Sequence, residues 1–196
     1  VDGIDGLCSG IALMDCIFFG LWFYGCGHIE YALMCGVLAT SILPFFFINL
    51  FGKRSKMFMG DSGALMVGFL LGVMAIKFCE VDVYMSGTCL VKAAPAVVFS
   101  VLAIPVLDTL RLFISRWMRG KSPFAPDKRH LHHKLLVIYG GVHRKATFMI
   151  LLFNLGFILL GILGRDWPNE LLISCDVVIF AALFYMVDRI AKAKKR

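Results

Sequence analysis

Ala146-Thr147-Phe148-Met149-Ile150-Leu151-Leu152-Phe153-Asn154-Leu155-Gly156-Phe157-Ile158-Leu159-Leu160-Gly161-Ile162-Leu163-Gly164 carries no charged side chain along its whole length. A bilayer crossing needs about 20 mostly apolar residues, and this run supplies them without the alternation of a barrel strand. In hydrocarbon each backbone polar group must be satisfied within its own segment, so the run is predicted to be a helix. Five further stretches have the same character, which places spans at 7–25, 31–51, 63–79, 91–114, 146–164 and 170–190. The composition agrees: of the 196 residues 60% are hydrophobic and 17% charged, and the mean hydropathy is +0.84. A soluble domain has about 25% charged residues and less apolar content, and is excluded. The expected fold is an all-α, polytopic transmembrane helical bundle, a single integral-membrane domain over 1–196 with a long loop at 115–145.

Charge orients this bundle. The segments 53–56, 111–145 and 189–196 hold 17 of the 20 lysines and arginines, and six spans bring all three to one side. Short cytoplasmic loops are enriched in these residues, so that side and both termini are expected to be cytoplasmic. The net charge of +7 then reads as a layer facing anionic headgroups, each residue contributing up to about 1 kcal/mol, and no nucleic-acid partner is needed to explain it. Most of the seven cysteines read as small apolar packing residues. Cys79 and Cys89 flank an outer connection, but their spacing says nothing about bridge geometry.

Three polar clusters fall on the basic side. In Asp2-Gly3-Ile4-Asp5-Gly6 two carboxylates three apart share one side of a helical turn, and the glycines permit close approach to the backbone. A capped helix start explains the same residues. In Met59-Gly60-Asp61-Ser62-Gly63 the acid stands at the mouth of the third span. It can cap that helix, or hold a hard cation such as Mg²⁺ beside the anion-binding N–H groups of the first turn. The third cluster is the loop Ser122-Pro123-Phe124-Ala125-Pro126-Asp127-Lys128-Arg129-His130-Leu131-His132-His133. His130 and His133 are expected on one helix face with His132 elsewhere. Zinc is disfavoured by the surrounding cations and by the absence of a Cys-x-x-Cys pair; a phosphate-rich ligand suits His, Lys and Arg together.

Acids within the spans need partners. Asp108 and Asp188 are expected to pair near Arg111 and Arg189, whereas Asp15 and Asp176 lie deeper and have none evident from sequence. Pro95 and Pro105 predict a kinked or broken fourth span.

Taken in order, Val1-Asp2-Gly3-Ile4-Asp5-Gly6-Leu7, Phe58-Met59-Gly60-Asp61-Ser62-Gly63, Pro105-Val106-Leu107-Asp108-Thr109-Leu110 and the histidine loop resemble signatures of the polyprenyl-phosphate N-acetylhexosamine-1-phosphate transferases. The His-Leu-His-His form is similar to that of the undecaprenyl-phosphate N-acetylglucosamine-1-phosphate transferases. The resemblance implies a Mg²⁺-dependent enzyme, with Mn²⁺ as the alternative ion. It would transfer N-acetylglucosamine 1-phosphate from UDP-N-acetylglucosamine to undecaprenyl phosphate, releasing UMP, as the first membrane step of cell-envelope polysaccharide synthesis at the cytoplasmic side of a bacterial inner membrane. By the same resemblance Asp61 is the metal ligand, and Asp2, Asp5, His130, His132 and His133 are catalytic. Gly60, Ser62, Gly63, Lys128 and Arg129 are then expected at the substrate, and a homodimer is compatible. Other readings are transfer of a phospho-N-acetylmuramoyl-pentapeptide or another sugar 1-phosphate, and a non-enzymatic transporter whose pathway uses the buried acids.

The family also carries an adjacent Asp-Asp pair ahead of the first signature, which this sequence lacks. Val1 opens directly on that signature and reads as an internal start, not a secretory leader. The chain is therefore expected to be the back part of a longer transferase and inactive alone.

Overall fold

The computed structural model describes residues 4–52, 57, 59–84, 91–120 and 130–194, the side chains of 82–84 excepted. Among them there is no strand, and the elements are α1 (Leu7–Gly25), α2 (Ile29–Phe51), α3 (Gly60–Tyr84), α4 (Ala94–Val101), α5 (Ala103–Trp117), α6 (Leu131–Ile138), α7 (His143–Leu163) and α8 (Asn169–Ala193). Helices α1, α2, α3, α7 and α8 are each long and apolar enough to cross a membrane, and α4 with α5 makes a sixth crossing if counted together.

That sixth unit is bent by 79°, as its prolines demand. Pro95 sits in the first turn of α4, where a missing N–H costs nothing. Pro105 lies three residues into α5, where its ring cannot coexist with continuous helix through Val101. The helix stops at Val101 and restarts at Ala103, with Leu102 at the corner. Asn169 of α8 accepts the Ala96 N–H at 3.3 Å, satisfying one of the donors exposed at the start of α4.

Helix α1 is the most buried spanning helix and packs along α2, α3 and α7. Phe19, Phe23 and Phe78 are fully buried where α1 meets α3, and the Trp22 and Phe78 rings lie 4.1 Å apart. A second core, centred on Leu7, Ile150 and Ile104, joins α1 to α5, α6, α7 and α8. Leu21, Leu33, Val37, Phe69, Ile76 and Val178 face outward, as lipid-facing side chains do.

The buried acids found no partner in the sequence, but the fold supplies them. Asn154 of α7 donates to Asp15 of α1 at 3.2 Å, and Ser100 of α4 donates to Asp176 of α8 at 2.6 Å. Asp188 is held by Lys134 and by Lys192; Arg189 instead lies over the Tyr185 ring. Cys79 forms no disulfide, and Cys89 lies outside the described residues. Among the described residues Cys26, at the end of α1 remote from Asp5, is disulfide-bonded.

Candidate active site

The site is built where α1, α3 and α7 begin and α6 packs beside them. Gly6 caps α1 with φ +74°, a conformation that costs an L-residue about 1 to 2 kcal/mol. A β-carbon there would also stand 3.0 Å from Leu50. Glycine is thus required twice over, and it lets the α1 start press against the end of α2. Asn49 accepts the Gly6 N–H and donates to the Met57 carbonyl, tying the approach to α3 to the same point. From α7, Thr147 donates to the Asp5 carbonyl at 2.7 Å, and Arg144 donates to the carbonyls of Leu50 and Phe51 at 2.9 and 3.2 Å. Arg144, read from sequence as a topological charge, caps the last turn of α2.

Asp5 is buried, and its carboxylate lies 3.3 Å from His143 Nδ1 of α7. His143 went unremarked in the sequence because it lies far from every cluster. Asp61 stands exposed in the first turn of α3, next to Gly60 at φ +69°.

The histidines approach from α6, which lies within the stretch expected to be a loop. It is a short helix anchored on both sides. At its start the Asp108 carboxylate of α5 accepts the Leu131 N–H at 3.1 and 3.3 Å, binds His130 Nδ1 at 2.8 Å, and receives Arg111 at 3.1 Å. Midway, Lys134 pairs with Asp188 of α8. At its end Lys194 donates to the Ile138 carbonyl at 2.5 Å.

The expected division of the histidines is corrected by this geometry. His130 precedes the first helical turn with φ −56° and ψ 153°, so helical spacing does not relate it to His133. All three rings line one cleft: His130 stacks on His132 at 5.3 Å and 12°, and His132 meets His133 at 4.3 Å. His132 is buried; burial first, then the neighbouring His133 and His130, push its pKa down to about 3. It is a neutral imidazole at physiological pH.

The cleft has a volume of about 780 Å³. Asp61, Asp15 and the three histidines are among its polar lining residues, and Ile11, Leu65, Leu71 and Val106 among the apolar ones. The structure thus brings together Asp61, His130, His132 and His133. Asp5 does not line this space, nor do Gly60, Ser62 and Gly63, which stand at the α3 start beside Asp61. Asp2, Lys128 and Arg129 lie outside the described residues.

Two metal chemistries can be tested on these donors. Asp108, His130 and His132 place ligand atoms within 4.8 Å of one another. However, the Asp108 oxygens already accept from an amide, an imidazole and a guanidinium, so a cation would displace all three. Asp61, an exposed carboxylate at a cleft mouth, suits a hard cation that shares its shell with phosphate oxygens.

Residues 1–79 match the family model described as "Glycosyl transferase family 4". The chain is 28% identical over 96% of its length to an undecaprenyl-phosphate alpha-N-acetylglucosaminyl 1-phosphate transferase of Yersinia pestis, covering 51% of that protein. It is 30% identical over 100% of its length to the protein of that name from Escherichia coli O157:H7, covering 53%. A decaprenyl-phosphate N-acetylglucosaminephosphotransferase of Mycolicibacterium smegmatis is 36% identical over 93% of the chain and is covered to 48%. The chain thus spans about half the length of these relatives. No solved structure matches significantly. The chain is thus similar to glycosyl transferase family 4 over its opening 79 residues, and over nearly its whole length to part of several named transferases.

Proposed function

We propose that the protein containing this chain transfers N-acetylglucosamine 1-phosphate from UDP-N-acetylglucosamine to undecaprenyl phosphate, releasing UMP, at the cytoplasmic face of a bacterial inner membrane. The carrying observation is that Asp61 and three histidines line one cleft together with a set of apolar side chains. A nucleotide sugar and a lipid phosphate together need both kinds of lining. The relatives' names supply the donor and acceptor class, and they differ in prenyl length.

In this reaction a lipid phosphate oxygen attacks the β-phosphorus of the donor. The bond between that phosphorus and the bridging oxygen breaks, and UMP carries the bridging oxygen away. Little covalent chemistry is asked of the protein; positioning and charge neutralisation dominate. Asp61 would hold Mg²⁺, which when bound offsets the phosphates' negative charge. The N–H groups of the first α3 turn are placed to donate to phosphate oxygens. His130 and His133 present ring nitrogens to the same space, and neutral His132 packs between them.

The Cys26 disulfide supports the orientation. Disulfides persist in oxidising compartments, and Cys26 stands at the opposite end of α1 from the cleft mouth, which leaves Asp61 on the reducing side. Asp176, buried and hydrogen-bonded between α4 and α8, offers the transporter reading no pathway, and Asp15 opens on the same cleft as Asp61 and the histidines. The test is incubation of the complete protein, its front half included, with radiolabelled UDP-N-acetylglucosamine and undecaprenyl phosphate. A Mg²⁺-dependent labelled lipid together with UMP is expected; no lipid product would refute the reading.

A further inference from the structure

Asp108 does not line the cleft, yet it holds His130, which does, and the amide of the next residue. It is 8% exposed and sits one turn after Pro105, directly behind the histidines. One oxygen meets His130 Nδ1 at 2.8 Å; the pair of oxygens receives the Leu131 amide; Arg111 neutralises the carboxylate at 3.1 Å. No side chain from within its own segment caps α6, so the cap comes from α5.

With Nδ1 engaged by a carboxylate, the nitrogen left to the cleft is Nε2. A carboxylate behind an imidazole fixes its tautomer, fixes its ring orientation and favours its charged form when a proton arrives. Stacking on His132 restricts the ring further. Resting on the function proposed above, we propose that Asp108 is a positioning residue of the transfer reaction. It keeps the His130 proton on Nδ1, so that Nε2 is the nitrogen that takes up a second proton and, in the charged ring, donates to the phosphates of the donor. Arg111 keeps Asp108 ionised for that task, and the Phe184 ring 3.7 Å beneath its guanidinium holds Arg111 in place.

A residue that merely caps α6 and one that acts through His130 behave differently in a double-mutant cycle. Asp108→Asn keeps an oxygen for the Leu131 amide and removes the carboxylate from His130. In the complete protein it is expected to lower kcat about 10- to 100-fold, the usual scale for losing such a supporting carboxylate, with the KM for UDP-N-acetylglucosamine changed less than about threefold. In a His130→Ala background the same substitution is expected to change kcat less than about twofold. A full additional loss in that background would overturn the proposal.

Nitrogen-15 NMR of histidine-labelled protein gives a readout independent of turnover. His130 should be protonated on Nδ1 in the wild type and lose that preference in Asp108→Asn. Wild-type His130 protonated on Nε2 would refute the positioning role even if transfer is observed. Failure of the wild type to transfer, with the Nδ1 signature intact, would overturn the proposed function and leave the Asp108–His130 coupling standing.

Discussion

Lys134 of α6 is seated on Asp188 of α8, 54 positions away in sequence, and both side chains are largely withdrawn from solvent. This pair, with Asp108 at the other side, decides where the histidines stand. Lys192 also reaches Asp188, but it is 74% exposed. Lys134→Met is expected to cost about 1 kcal/mol and to lower the unfolding midpoint in detergent by about 2 to 4 °C. Lys192→Met should lower it by less than half as much. Equal effects would show that α6 is not anchored through this pair.

Gly6 makes a sharper stability prediction. Gly6→Ala combines a positive φ with a contact at 3.0 Å to Leu50, and should destabilise by about 2 kcal/mol or more. Gly36→Ala, in the middle of α2 with open space around it, should be neutral or slightly stabilising, since glycine is a poor helix former. Thermal unfolding of the two variants side by side checks the contrast.

The hydrogen bond from Ser100 to Asp176 joins α4 to α8, and the other oxygen of Asp176 has no hydrogen-bonding partner. Ser100→Ala strands a buried carboxyl and is expected to cost about 2 kcal/mol. Measured stability unchanged by that substitution would mean that Asp176 reaches water.

His132 predicts how stability depends on pH. Its folded pKa of about 3 lies below the ordinary histidine value of 6.5, so between those values the unfolded chain binds a proton that the folded one does not. Stability is therefore full above pH 6.5 and falls as the pH is lowered through that window, by about 2 kcal/mol from pH 6.5 to 5. His132→Gln should flatten this dependence in denaturation experiments at pH 7 and pH 5. A slope identical to the wild type would contradict the burial of a neutral ring.

The spanning helices were legible because a bilayer writes its thickness into sequence as long apolar blocks. The predicted 7–25 and 31–51 correspond to Leu7–Gly25 and Ile29–Phe51, and the two prolines disclosed the break between α4 and α5. Asp61 and the histidines were legible as clusters. What escaped was set by contacts between distant positions. Helix α6 has only eight residues, too few to show a period, and it holds its place through Asp108, Asp188 and Lys194. His130 was assigned a helix face it does not have, because its extended ψ is imposed by Asp108 on another helix. Asn154 as the partner of Asp15, and His143 as that of Asp5, lie on α7, well over a hundred residues from either acid.

On the proposed function, Asp61 and the histidine cleft carry out phosphoryl transfer at saturating Mg²⁺. Its most direct test is the rate of UMP release by the complete protein from UDP-N-acetylglucosamine and undecaprenyl phosphate, compared between wild type and Asp61→Asn. The account predicts a loss of about 10²- to 10³-fold, the scale for removing one preorganised charge-stabilising group, in a variant whose unfolding midpoint is unchanged because Asp61 is exposed. A rate within about twofold of the wild type would contradict it.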